Sequence, residues 1–577
     1  MSSDNIVFQS FRCIKRRLLT KAYQPTIPSV PSLAWFLPIS LDNMKNQRRL
    51  SKKKTDEHAT LHGVMFPPQT YKRREEAVVD EILLSEVSSG FPALNLHLNE
   101  IDQSYRHQDT LETSPHSPTS NEPVPVAKNR YLAYLRHTLF TVYRRLFTIV
   151  FLVNAVPAIF MATHRRMSFS ALATAASTNL FVAVLIRQSF AVTCIFRAAK
   201  LVPWSVPLIA RRWLAMCYCY GGIHSGTAIA GTIWWIALSI VMLVEQVCKS
   251  SASGLRFSCY LAWIVALLLC IIITFALPRL RRKWHNAFEL THRFLTWTSL
   301  ILFWTQNLLL VSHTVSTTPK HTFFGHLTRT PTFWVLSALT ALTIYPWLYV
   351  RTWHFTATLL SEHAIRLSFS NTLPPFSVIR LSTSPLMEWH PFATFPSISP
   401  TGSPENALLI SRAGDWTHRI IQQAHNQAKH TNSSISATRT IPLILSVRLT
   451  PQPGVLSLTP LFPRIILLTT GSGIGPCLSS LLLAPQAQSI RLIWCTRNPE
   501  ATYGQSLLNL VRDLDTSAVI IDTDVRGRPD LARKAWEEYM AFGAEAVFVL
   551  GNERTTREVV GQLVRWGVPA FGPVFDS

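Results

Sequence analysis

Acidic residues are scarce in this 577-residue chain: 32 Asp and Glu stand against 55 Lys and Arg, a formal charge of +23. Such an excess invites a nucleic-acid partner. There is, however, no basic recognition helix, zinc spacing or aromatic RNA motif, so no nucleic acid is expected. Charge of either sign is also low, at 15% of residues against 48% hydrophobic, so the polar residues must be unevenly distributed. The nine cysteines contain no CxxC pair and no metal-ligand spacing. Neither a zinc site nor a disulfide framework is implied. Residues 1–128 lack extended apolar periodicity and carry the polybasic run Arg48–Lys54, as expected of a disordered, basic cytosolic tail.

Beyond residue 128 the chain turns apolar. Six runs, at about 146–163, 170–193, 214–240, 257–277, 294–312 and 333–350, approach or exceed the ~20 residues that cross a bilayer core. Soluble cores do not supply six such runs in succession, so residues 129–352 read as a six-helix, multi-pass membrane domain in contact with lipid. Arg197, Lys200, Arg211 and Arg212 follow the second run. Arg279, Arg281, Arg282 and Lys283 follow the fourth, and the opposite loops are poorer in Lys and Arg. The positive-inside bias places both termini in the cytoplasm, in a plasma membrane or an endomembrane. Arg187 falls inside the second run; lying within two turns of its cytoplasmic end, it is expected to snorkel to the interface.

After Arg351 the texture changes to short β-rich runs separated by Pro, Gly and Asn, as in a small barrel. "RIILLTT" (464–470) then reads as a buried parallel strand. "SIRLIWCT", "SAVIIDT" and "EAVFVLG" alternate with helical stretches at 533–541 and 555–566, an α/β nucleotide-binding pattern. Between the first strand and the helix "CLSSLLL" lies "TTGSGIGPC" (469–477). Glycine is needed where such a turn takes positive φ or meets a ligand closely, and amides at a helix start bind phosphate oxygens. Gly471, Gly473, Gly475 and Pro476 are therefore candidate dinucleotide contacts.

The GxGxxP spacing departs from GxGxxG and resembles the NAD(P) loop of the ferredoxin-reductase superfamily. "EWHPFATF" (388–395) resembles the His-Pro-Phe-Thr flavin motif of ferric reductases and NADPH oxidases. His390, Pro391 and Phe392 match, while Ala393 replaces a hydroxyl residue. "AGDWT" (413–417) resembles the second flavin motif, with Gly414 and Thr417 as the matching positions. The resemblance implies an FAD domain over 353–462 and an NAD(P) domain over 463–577. It places Thr496 and Arg497 at the adenosine ribose or its 2′-phosphate, which leans towards NADPH over NADH. Gly551 takes the place beside the hydride path, after Leu550 where relatives have Cys. Phe575 is a candidate aromatic cover for the flavin.

"TTGSGIGPC", "TRNPEATYG", "DTDVRGRPD", "AEAVFVLGN" and "VPAFGPVFDS" together resemble the fungal TmpA-like integral membrane flavoproteins. Some membrane-bound adenylate-forming enzymes share this reductase end; the tail before residue 129 is too short for their adenylation domain. The resemblance implies NAD(P)H-dependent flavin reduction and onward transfer to an unidentified acceptor or small lipophilic substrate, in developmental signalling or secondary metabolism. Ferric reductases and NADPH oxidases carry two haems, on histidine pairs 13 or 14 residues apart in the third and fifth helices. Here His224 is followed at those distances by Ala237 and Leu238, and His292 by Thr305 and Gln306. No haem is therefore expected; a single haem on His224 and His292 is one alternative, and an inactive signalling scaffold another.

Overall fold

The computed structural model describes residues 141–575, apart from 165–167, 250–252, 318–321, 400–402 and 431–439. The tail expected over 1–128 lies outside the described residues. The apolar half is built from α1 (Val142–Thr163), α2 (Phe169–Leu185), α3 (Ser189–Lys200), α4 (Leu208–Leu214) and α5 (Gly221–Lys249). It continues through α6 (Ser253–Ala276), α7 (Pro278–Lys283), α8 (His285–Thr317), α9 (Phe323–Arg329) and α10 (Pro331–Leu348). Among the described residues, four helices are long and apolar enough to cross a membrane: Val142–Thr163, Leu208–Val247, Arg256–Ala276 and His285–Ser316. The pair α2 and α3, bent by 65°, would make a fifth if it formed one span. The last expected span, α10, is 18 residues long.

The second run differs from the expected continuous helix over 170–193. Helix α2 ends at Leu185, and the chain turns through Ile186–Gln188 before α3 begins. Gln188 donates to Leu342 O at 3.1 Å and Ser189 to Thr450 O at 2.9 Å, which anchors the corner to α10 and to the segment that follows the apolar half. Beyond it, Val192, Phe196 and Ala199 bury one face of α3 against Leu456, Leu458 and Leu461. Burial of that face against residues 456–461 outweighs continuation into the apolar bundle. Arg187 consequently sits at the corner and faces Tyr220, its guanidinium 5.9 Å from the ring centroid.

The β-rich region forms seven strands: β1 (Val350–Ser361), β2 (Ala364–Phe369), β3 (Ser377–Ser382), β4 (His390–Ala393), β5 (Phe395–Ile398), β6 (Pro404–Ser411) and β7 (Thr440–Pro453). All pair antiparallel in the order β4-β3-β7-β1-β2-β6-β5. The ladder leaves β4 and β5 as its edges, yet only Thr394 separates them along the chain, so the sheet curls towards the expected barrel without a hydrogen-bonded seam between them. Helix α11 (Asp415–His430) packs on it through Trp416, Ile420, Ile421, Ala424 and Ala428. Burying side chains as large as Ile420 and Ile421 is worth about 1.5–3 kcal/mol each.

A second sheet contains β8 (Arg464–Thr470), β9 (Ser489–Thr496), β10 (Val519–Asp522), β11 (Ala546–Leu550) and β12 (Ala570–Phe571), all parallel, in the order β10-β9-β8-β11-β12. Its central strands are apolar on both faces because helices cover both: β11 is buried at every position. The helices expected at 533–541 and 555–566 run Leu531–Phe542 and Glu553–Arg565.

Candidate functional site

The glycine loop joins β8 to α12 (Ile474–Leu482) through one 3₁₀ turn, Gly471–Gly473. Gly471 has φ +55°, and Trp494 Nε1 donates to its carbonyl at 3.0 Å. A Cβ on Gly473 would stand 2.3 Å from Thr469 Oγ1 and 3.2 Å from Leu550 O, so no larger residue fits the turn unchanged. Gly475 lies against Leu409 of β6, and Pro476 occupies the first turn of α12, where a missing amide costs no helical bond.

Two hydroxyl contacts set this loop against the antiparallel sheet. Ser472 Oγ and Ser411 Oγ are 2.6 Å apart, and buried Ser479 Oγ donates to Thr394 O at 2.7 Å. Ser411 ends β6 just before the Ala413–Thr417 turn. Gly414, Thr417 and the glycine loop are therefore brought to one junction from positions about 60 residues apart.

Thr417 Oγ1 accepts from the amides of Ala413, at 2.9 Å, and Gly414, at 3.0 Å. The hydroxyl thus closes the turn, and the start of α11 is held by its own third residue. A Cβ at Gly414 would meet nothing within 4 Å, so the space beside the turn is open. His390 stacks on Trp416 with ring centroids 4.4 Å apart at 25°, and Phe392 lies 5.8 Å from the same indole. His390 Nε2 is buried without a hydrogen-bond partner, Glu388 Oε2 standing 3.5 Å away. Burial holds the His390 pKa below its usual value, with Glu388 opposing. Pro391 is exposed. The next hydroxyl after Ala393, that of Thr394, is buried and donates to Ser377 O at 3.1 Å; it does not replace the one missing at 393. The open turn, the aromatic stack and the orphaned His390 nitrogen fit a flavin dinucleotide.

Thr496 is largely buried at the end of β9, and Arg497 is exposed just after it. Arg526 and Arg528 are exposed beyond the end of the neighbouring strand β10. Burial raises the Cys495 pKa while the Arg528 charge opposes. Sequence reasoning missed both arginines as site residues; the signal was a basic pair directly after the next parallel strand. Gly551 follows β11, where a Cβ would come within 2.7 Å of Thr470 Oγ1. Phe575 is half-buried, and its carbonyl accepts from Arg281 Nη2 of α7 at 2.7 Å. The expected aromatic cover is thus tied to the basic helix of the apolar half.

His224 of α5 and His292 of α8 do meet: their ring centroids are 6.3 Å apart, with planes at 54°. His224 Nδ1 is 2.8 Å from Ala183 O, which leaves its Nε2 side for a ligand. His292 Nδ1 is buried without a partner. The corresponding later positions are packed: Leu238 is fully buried, and Gln306 Nε2 donates to Ser258 Oγ at 2.8 Å. Among the described residues, no group of three or more His, Cys, Asp or Glu is placed to hold a metal ion.

An antiparallel sheet followed by a parallel sheet entered through a glycine loop defines the class: a fold of ferredoxin-reductase type, joined to a set of long apolar helices. Residues 455–577 match the family model for the C-terminal domain of adenylate-forming reductase 03009. The chain is 35% identical over 452 residues to adenylate-forming reductase 03009 of Coprinopsis cinerea, covering 78% of this chain and 42% of that protein. It is 36% identical over 523 residues to adenylate-forming reductase 06235 of the same fungus, covering 90% and 48%. The chain spans about half the length of these curated relatives. Among solved structures, the ferredoxin reductase in carbazole 1,9a-dioxygenase is similar at 12% identity, over 39% of this chain and 70% of that one, with a TM-score of 0.27. A likeness of that degree carries no weight; the strand order does.

Proposed function

We propose that this chain is a membrane-integral flavin reductase that takes hydride from NAD(P)H on one side and delivers electrons to an acceptor at the membrane boundary. The observation that carries the reading is the Ser411–Ser472 contact, which sets the nucleotide loop beside the flavin-type turn. Gly471–Pro476 would hold the nucleotide pyrophosphate at the start of α12. His390–Phe392 and Gly414–Thr417 would hold FAD. FAD when bound supplies the two-electron to one-electron chemistry; the protein binds, orients and excludes water. Arg497, Arg526 and Arg528 favour the 2′-phosphate of NADPH, since guanidinium groups bind phosphate bidentately.

A membrane setting is supported by the exposed apolar face of α1, where Leu152, Val153, Val156 and Ile159 are each more than 60% exposed. The basic loops contact the reductase module through Arg211, Arg281 and Trp204, which favours a cytoplasmic module and cytoplasmic termini. A TmpA-like role in fungal developmental signalling or secondary metabolism is the finer reading. The adenylate-forming relatives support a shared redox end. The meeting of His224 and His292 favours a second reading, a one-haem carrier in which those two side chains would hold the haem.

The deciding experiment is the visible spectrum of detergent-purified protein before and after anaerobic NADPH. A flavin spectrum that bleaches without a Soret band is the expected result. A Soret band would establish the second reading. Protein that stays colourless after FAD is added would overturn the enzyme reading and leave a scaffold.

A further inference from the structure

A cavity of about 130 Å³ lies where the membrane half, the antiparallel sheet and the C-terminal segment meet. Arg187 and Arg380 line it with Tyr218, Tyr220, Gln452 and Val574. Arg187 comes from the corner between α2 and α3. Arg380 comes from β3, where it pairs across the sheet with Arg448 of β7.

No carboxylate is among the residues that line the cavity. Arg380 donates to Gln452 Oε1 at 3.3 Å, a neutral acceptor. Glu289 reaches Arg380 electrostatically, yet among the described residues no carboxylate forms an ion pair with Arg380 or Arg448. Arg448 is sandwiched by Trp389, 4.4 Å from its guanidinium, and Trp347, at 5.4 Å; its Nε is buried without a partner. Burial, with Arg380 and Arg293 nearby, pushes Arg448 down to about 9. Guanidinium groups keep their proton in proteins, so the unmet demand is for a counter-anion.

We propose that this cavity is an oxyanion site, taking the carboxylate or phosphate of a ligand that enters at the membrane boundary, with Arg187 and Arg380 as the binding pair. The tyrosines and Val574 give it an apolar wall beside the cationic one, suited to an amphiphile. Arg380 lies in register with Pro391 of β4, so the cavity adjoins the strand proposed to hold FAD, while neither 390–393 nor the Gly414–Thr417 turn lines it.

The test uses the full chain with flavin bound. Equilibrium dialysis against labelled benzoate and inorganic phosphate reads a soluble source. Mass spectrometry of lipid retained from nanodiscs containing phosphatidic acid, against phosphatidylcholine alone, reads a lipid source. Saturable binding or selective retention, reduced at least about tenfold in both Arg187→Gln and Arg380→Gln with flavin content unchanged, is expected. Binding by neither source, or binding unaltered in the variants, would overturn the proposal. So would phosphate displaced by added FAD together with flavin lost from the variants, since the site would then belong to the flavin. NADPH bleaching measured on the same samples tests the reductase reading separately.

Discussion

Arg211 is the single side chain whose loss should most clearly uncouple the two halves. It projects from α4, between the second and third apolar runs, and is 4% exposed. Its Nη1 lies 2.7 Å from Glu545 Oε2 and 2.9 Å from Leu461 O, its Nη2 3.4 Å from Glu545 Oε1, and its Nε 3.0 Å from Val206 O. Arg212 Nη2 reaches the carbonyl of Glu545 at 3.2 Å. In Arg211→Met, two carbonyls lose a donor and the Glu545 carboxylate loses its counter-charge in a largely desolvated place. Removing one partner of a buried pair costs about 3–5 kcal/mol. Glu545 keeps 21% exposure, so water recovers part of that and the lower bound, about 3 kcal/mol, is the better expectation. At about 1.4 kcal/mol per factor of ten, opening of the α4 contact should become about 100-fold more frequent. Hydrogen exchange over 203–214 and 455–462 reads this directly. The double variant Arg211→Met/Glu545→Gln should recover much of the loss, because no buried charge remains unpaired. Exchange in Arg211→Met indistinguishable from wild type, or a double variant worse than the sum of the singles, would rule out a buried ion pair as the clamp between the halves.

Gly473→Ala should slow NADPH-dependent bleaching at least about tenfold while keeping flavin, because its Cβ cannot clear Thr469 Oγ1 and Leu550 O; stopped-flow traces at wild-type rate would count against the loop assignment. Gly414→Val should leave the melting temperature unchanged, since its first added carbon meets nothing, yet lower flavin content; full flavin occupancy would remove the turn from the binding site. Arg497→Glu should shift the NADPH-to-NADH preference in kcat/KM by about tenfold or more, as expected for a lost charge-assisted phosphate contact, and an unchanged ratio would exclude that arginine. His390 is held below its ordinary pKa, so the unfolded chain binds its proton more readily. Its contribution to stability is complete above about pH 6.5 and lost as pH falls towards the folded value. Thermal melts from pH 5 to 7 should accordingly fall less steeply for His390→Asn than for wild type; identical slopes would contradict burial as the cause of the shift.

Several features of this protein were legible from local pattern alone. Apolar run length marks α1, α5, α6 and α8 because hydropathy over ~20 residues is a local quantity. The βα alternation after residue 463 and the glycine turn are legible for the same reason: strand, turn and helix chemistry is written within a few residues. The corner at Ile186–Gln188 was not: Arg187, Gln188 and Ser189 interrupt the apolar run, but such a triplet near the end of a run is compatible with either a continuous helix or a bend. What breaks the helix is the docking of Val192, Phe196 and Ala199 on residues 456–461, more than 250 positions away.

The same separation governs the site. Residue type and spacing single out Gly471–Pro476, and resemblance to known flavin motifs singles out His390–Phe392, Gly414 and Thr417. Nothing in those strings says that Ser411 meets Ser472, that Trp416 lies flat on His390, or that the chain end at Phe575 is tied to Arg281. Nor does any pattern bring Arg187 to the same cavity as Arg380, 193 positions on. The helices, strands and turns come from the order of residues, because backbone conformation and membrane partition respond to neighbours along the chain. Which charges face one another comes from the packed fold alone, because it depends on which surfaces meet and exclude water between residues hundreds of positions apart.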